Sequence, residues 1–79
     1  MWYWQEMHAK AIEYLKLAVR ENDNDGASHR ELAFSYAHLR QWEDAERHFK
    51  RALKIDPNDS RAIQGYEKMK RARTKLHLK

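Results

Sequence analysis

The chain has 79 residues, of which 35% are charged and 42% apolar, and its formal net charge at pH 7 is +4. This length favours one small domain, and the lack of cysteine excludes disulfides and thiol catalysis and favours a reducing, cytoplasmic location. No apolar run approaches the ~20 residues of a membrane span, and no signal-peptide core follows Met1.

The first predicted helix covers residues 2–21, which contain no proline or glycine and are rich in helix formers. An apolar stripe at helical spacing is predicted to face the rest of the domain. Its members are Trp4, His8, Ala11, Ile12, Leu15, Ala18 and Val19.

A second apolar stripe lies on the other side of this helix and has no predicted partner. Aligned apolar side chains form a patch, and such patches tend to be covered. We therefore predict that two copies of the chain associate here; the alternative is ordinary exposed side chains. The predicted contact residues are Trp2, Tyr3, Trp4, Met7, Tyr14 and Leu17.

The turn-forming residues 22–26 come next, and Asp25 or Ser28 is expected to cap a second helix over about 27–39. A third helix is predicted over about 42–55, and Pro57 ends it. Small and large side chains alternate on the facing stripes, which favours a closely packed antiparallel hairpin. These residues are Leu32, Ala33, Tyr36, Trp42, Ala45, Phe49 and Ala52.

A fourth helix is predicted over about 60–76, with Asn58 or Asp59 as its cap. Its expected apolar face consists of Ala62, Ile63, Tyr66, Met69 and the aliphatic stem of Arg73. This region also carries seven basic residues against one acidic residue between positions 61 and 79, whereas residues 1–60 have a net charge of −2.

The 34-residue stretch 26–59 resembles a tetratricopeptide repeat, a helix–turn–helix unit. Trp42 takes a position that is usually Tyr, His29 stands where the family prefers Trp, and Arg40 stands where it prefers a turn glycine. The matching signature residues are Leu32, Ala33, Tyr36, Ala45, Phe49, Ala52 and Pro57.

This resemblance implies an all-α fold of antiparallel helical hairpins, a tetratricopeptide-repeat-like α-solenoid fragment of four helices within the single domain 1–79. Residues 2–21 would be the second helix of a truncated repeat, 26–59 the full repeat and 60–76 a capping helix. One full repeat is fewer than a stable array usually needs. A piece of a longer array, a natural short protein and an engineered protein all stay open.

The resemblance also implies a concave groove that binds proteins or peptides. Phe34 would anchor an extended peptide or partner helix, flanked by Arg30 and Lys68 to attract acidic side chains; the alternative is a surface aromatic leaning on its neighbours. The groove positions are Arg30, Glu31, Phe34, Ala37, His38, Arg61, Gln64, Lys68 and Arg71.

No nucleophile–base pair, phosphate-binding loop or metal-ligand spacing stands out, so we expect neither an enzyme nor a cofactor. The predicted function is protein–protein interaction or assembly, with a homodimer as the simplest form. The alternative is a basic C-terminal helix that binds nucleic acid or an anionic membrane surface. For these charges the simpler interpretation is a solvated helix end, whose cations favour the helix C-terminus. The basic residues are Lys68, Lys70, Arg71, Arg73, Lys75 and Lys79.

Overall fold

The computed structural model describes the backbone of residues 2–77 and the side chains of residues 6–74. The described residues form four α-helices and no strand. The helices are α1 (Trp2–Glu21), α2 (Gly26–His38), α3 (Trp42–Ile55) and α4 (Ser60–His77). The predicted all-α fold is therefore confirmed, and the predicted helix ends lie within one residue of the observed ones.

Aspartates begin two of the helices. Asp25 is the N-cap of α2: it accepts hydrogen bonds from the Ser28 N–H at 3.2 Å and from the Ser28 hydroxyl at 2.7 Å. These bonds hold the pKa of Asp25 below its usual value. Asp59 accepts a hydrogen bond from the Ala62 N–H at 3.3 Å and so caps α4. Both caps satisfy backbone donors that a helix start leaves unpaired.

The turn between α2 and α3 reverses the chain within three residues. Its middle residue, Arg40, has a φ of 62°, in the left-handed region that glycine adopts at little cost. The Gln41 N–H donates to the Tyr36 carbonyl at 2.9 Å and closes the turn. The left-handed backbone explains why a glycine is preferred at this position of the repeat.

The hairpin of α2 and α3 holds the centre of the core. Leu32 and Ala33 of α2 and Ala45, Phe49 and Ala52 of α3 are all 0% exposed. The three alanines let the two helix backbones approach, and the larger side chains fill the remaining space. Each helix packs on the next one along the chain, and α4 also contacts α2.

The inward face of α4 differs from the predicted one. Ala62, Gly65 and Met69 are buried and Tyr66 is half-buried, whereas Ile63 is 38% exposed. The prediction that Ile63 faces the core was therefore wrong. The helix is turned so that Gly65, which has no side chain, lies against the aromatic rings of α2 and α3.

Candidate functional site

The outer face of α1, which we define as the surface of Met7, Tyr14 and Leu17 with Lys10 between them, points away from α2. Met7 is 56% exposed, Tyr14 73% and Leu17 57%. Within the described residues α1 packs on α2 alone, so no helix covers this face. The other predicted members, Trp2, Tyr3 and Trp4, have side chains outside the described residues.

Some positions of α1 that correspond to buried positions of α3 are themselves only half-buried. A shift of 34 residues places Ala11, Leu15 and Ala18 of α1 onto the α3 positions that are 0% exposed. In α1 all three are only half-buried. The difference arises because α3 lies between two helices, α2 and α4, whereas α1 has one neighbour.

A cavity of about 320 Å³ opens between α2 and α4. Four of the nine predicted groove residues line it, namely Phe34, Ala37, His38 and Lys68. Sequence reasoning did not identify the other lining residues, which are Trp42, Gly65, Met69 and Ala72. The glycine inside a predicted helix was the available signal, because it often marks a close approach of two elements.

Phe34 is half-buried in the wall of this cavity. Its ring packs edge-to-face on Phe49 with 5.3 Å between ring centroids. His38 stacks on His8 of α1 with the centroids 4.7 Å apart. Burial and the neighbouring His38 lower the pKa of His8, which favours the neutral form of this ring. The α2 side of the cavity therefore contacts both α3, through Phe34, and α1, through His38.

The Arg30 guanidinium is paired with carboxylates of the chain itself. It donates to Asp59 at 2.8 Å and lies 3.5 Å from Glu31. The Arg30 and Asp59 side chains are only 17% and 12% exposed. This hydrogen bond lowers the pKa of Asp59 and raises that of Arg30. Arg30 thus joins α2 to the start of α4.

The remaining predicted groove positions on α4 do not line the cavity. Arg61 and Gln64 are exposed. Arg71 lines a different depression, on the surface that Glu67, Lys70 and Thr74 also form. The nine predicted residues are therefore divided among several surfaces, and only four of them meet at one site.

Two cations of the basic C-terminal helix have partners within the domain. Arg73 donates to Glu46 at 3.1 Å, and this bond lowers the pKa of Glu46. The Lys70 ammonium lies 4.8 Å from the centre of the Tyr66 ring. The side chains of Lys75 and Lys79 lie outside the described residues. Binding of nucleic acid or an anionic surface by this helix stays a prediction.

A histidine pair that sequence reasoning missed joins α2 to α3. The His29 Nε2–H donates to the Asp23 carbonyl at 3.0 Å. His48 Nδ1 lies 3.1 Å from His29 Nδ1, within hydrogen-bonding distance. The His48 ring also stacks on Tyr36 with 5.6 Å between centroids. His29 is 4% exposed, so a polar pair here replaces the large aromatic side chain that the family prefers.

The described part of the chain has neither a cluster of metal-ligand side chains nor a helix suited to a membrane. Among those residues, no three histidine, cysteine, aspartate or glutamate side chains converge as metal ligands do. None of the helices there is both long and apolar enough to cross a membrane.

Comparison with known proteins assigns the central hairpin to a family. A family model described as tetratricopeptide repeat matches residues 26–59, which are α2, the turn, α3 and the segment that leads to α4. No curated protein and no solved structure gave a match. The hairpin of residues 26–59 is therefore similar to a tetratricopeptide repeat, as its sequence pattern predicted.

Proposed function

We propose that this chain is an assembly module without catalysis that self-associates through the outer face of α1. Tetratricopeptide repeats are generally protein–protein interaction modules, and the family is typically a non-catalytic scaffold. A repeat of this kind indicates binding to another protein. We assign that binding to the outer face of α1 and to a second copy of the chain.

The exposure of Met7, Tyr14 and Leu17 is the observation that carries the proposal. Each of these side chains is more than half exposed, and they lie on one side of a single helix. Burying such side chains removes apolar surface from water, and the favourable free energy is roughly 25 cal/mol per Å² of surface buried. A second copy supplies the same apolar surface and is the simplest partner.

Sedimentation velocity at 5 and 100 µM tests this proposal. We expect the wild-type chain to sediment faster at the higher concentration, and Tyr14→Glu to stay monomeric at both. Because Tyr14 is 73% exposed, the variant is expected to keep the fold, which circular dichroism checks.

Gln64→Glu is the matched control, because it adds the same charge at an exposed helix position on α4. It is expected to associate like the wild type. A monomeric wild type at 100 µM would contradict the proposal, and so would equal effects of the two variants.

A second candidate site is the cavity between α2 and α4. Phe34, Trp42 and Met69 give the cavity an apolar lining, and Lys68 also lines it. This combination suits an apolar side chain of a peptide that also carries a carboxylate. Peptides selected from a random display library on the wild-type protein would provide the probe.

Ala72→Glu and Ala27→Glu form the matched pair for this second site. Ala72 is exposed and lines the cavity, whereas Ala27 is exposed in the first turn of α2, where added negative charge is tolerated. We expect the selected peptides to lose binding to Ala72→Glu and to keep it with Ala27→Glu. Binding that neither substitution changes would exclude the cavity.

A further inference from the structure

The outer face of α1 has the spacing of a coiled-coil seam. Met7, Lys10, Tyr14 and Leu17 follow one another at steps of three, four and three residues, and all four are exposed. In a coiled coil, this spacing keeps one line of side chains of each helix facing the other helix. Met7 and Tyr14 take one core position of the repeat, and Lys10 and Leu17 take the other.

From this spacing we infer that two copies of α1 pack antiparallel about a two-fold axis at the level of residue 12. The inference rests on the proposed function, because it describes the geometry of the same self-association. In this arrangement Met7 lies opposite Leu17 of the second copy, and Lys10 lies opposite Tyr14. Each pair occurs twice, as the two-fold symmetry of a dimer requires.

The lysine within the seam selects the antiparallel orientation. In a parallel pair the two Lys10 side chains would meet each other, and like charges repel. In the antiparallel pair the aliphatic part of Lys10 packs on the Tyr14 ring of the other copy while its ammonium approaches the ring face. A polar residue at one core position is a known determinant of register in coiled coils.

Charges beside the seam agree with the same orientation. Glu6, Glu13 and Arg20 are exposed and follow one another at seven-residue steps along one edge of the seam. The antiparallel register brings Glu6 of one copy beside Arg20 of the other, twice per dimer. It also brings the two Glu13 carboxylates together near the axis, where they repel. Ala11 and Ala18 border the opposite edge, and their small size permits close approach.

A disulfide experiment tests the register, because the natural chain has no cysteine. Met7→Cys and Leu17→Cys proteins are prepared separately and oxidised either alone or as a mixture. We expect the mixture to form a mixed disulfide readily and each protein alone to form little. In this register residue 7 of one copy lies opposite residue 17 of the other, so the two copies of residue 7 are separated by ten residues along the helix axis, roughly 15 Å. A disulfide needs Cα atoms within ~7 Å of each other.

A charge exchange provides a second test without cross-linking. Arg20→Glu is expected to weaken self-association by about tenfold, because two ion pairs become repulsions. Combining it with Glu6→Arg should restore the affinity to within about twofold, since the exchanged pairs form again. Glu13→Gln should tighten association by a few fold, because it removes the repulsion at the axis.

The outcomes separate this inference from the proposed function. Dimers that form Met7→Cys homodisulfides and no mixed disulfide would overturn the antiparallel register and leave self-association through α1 intact. Dimers that form neither disulfide would overturn the two-fold pairing of α1. A sedimenting species whose mass exceeds that of a dimer at higher concentration would overturn it as well. A monomeric protein at 100 µM would overturn the proposed function itself.

Discussion

Gly65 of α4 lies directly against Phe34 of α2. A Cβ atom at position 65 would stand 2.6 Å from Cε1 and 2.7 Å from Cζ of the Phe34 ring, and 2.9 Å from Cε1 of Phe49. Both rings are held by their edge-to-face contact, so they have little freedom to move away. We expect Gly65→Ala to lower the free energy of unfolding by about 1–2 kcal/mol, although alanine favours a helix.

Urea unfolding followed by circular dichroism measures this effect. Gln64→Ala is the control, because the neighbouring position is exposed and the change should be neutral or slightly stabilising. In a Phe34→Leu background the added methyl group should cost less, because the nearer of the two rings that it meets is gone. Equal stability of Gly65→Ala and the wild type would contradict the described packing of α4.

The turn residue Arg40 carries a strained backbone. Its φ of 62° costs a non-glycine residue about 1 kcal/mol or slightly more. Arg40→Gly should therefore raise the free energy of unfolding by about 0.5–1 kcal/mol, after allowing for the greater freedom of glycine in the unfolded chain. Arg61→Gly, the same change within α4, should instead cost about 1 kcal/mol. A loss of stability in both variants would argue against a left-handed Arg40.

The His29–His48 pair makes stability depend on pH. Burial, and secondarily the neighbouring His29, lower the pKa of His48 from 6.5 to about 4. Between these values the unfolded chain binds more protons, so the stability present above pH 6.5 is lost as the pH falls toward 4. The free energy of unfolding should fall by an amount on the order of 1–2 kcal/mol. This is less than the whole pKa shift would give, because His48 is partly exposed to solvent.

His48→Gln tests this origin, because glutamine can still donate a hydrogen bond and does not titrate in this range. The variant should flatten the stability curve between pH 6.5 and 4, with a smaller slope left by His8, whose pKa is also lowered. Below pH 4, protonation of Asp25 and Asp59 should destabilise both proteins alike, since the folded state lowers both pKa values. Parallel curves for variant and wild type across pH 6.5–4 would exclude His48 as the source.

Asp59 has two roles that substitution can separate. Its carboxylate accepts hydrogen bonds from the Arg30 guanidinium at 2.8 Å and from the Ala62 N–H at 3.3 Å. Asp59→Asn keeps an acceptor for the helix cap and loses the charge pair, whereas Asp59→Ala loses both. We expect a cost of about 1 kcal/mol for the first and about 2 kcal/mol for the second by thermal or urea unfolding. A larger cost for asparagine would reverse this assignment.

The helices and the central hairpin could be predicted because they depend on local patterns. The spacing of Leu32, Ala33 and Phe49 identifies the faces that meet, and Asp25 and Pro57 mark helix ends. These signals act within a few residues, so the predicted boundaries agree with the structure to within one residue.

The contacts that sequence reasoning missed are polar or steric and join distant residues. Arg30 was predicted to face a partner, but it pairs with Asp59, and no periodicity indicates such a choice. Ile63 was predicted to be buried because it is apolar, yet Gly65 faces the core because only a residue without a side chain fits against Phe34. The histidine pair likewise depends on the register between α2 and α3.

Amide chemical shifts of the isotopically labelled protein, recorded by NMR during dilution from 500 to 10 µM, most directly locate the self-association surface. The account predicts concentration-dependent shifts that cluster along α1, around Met7, Tyr14 and Leu17, and that vanish in Tyr14→Glu. Shifts that cluster on α4 instead, or spectra that do not change with concentration, would contradict it.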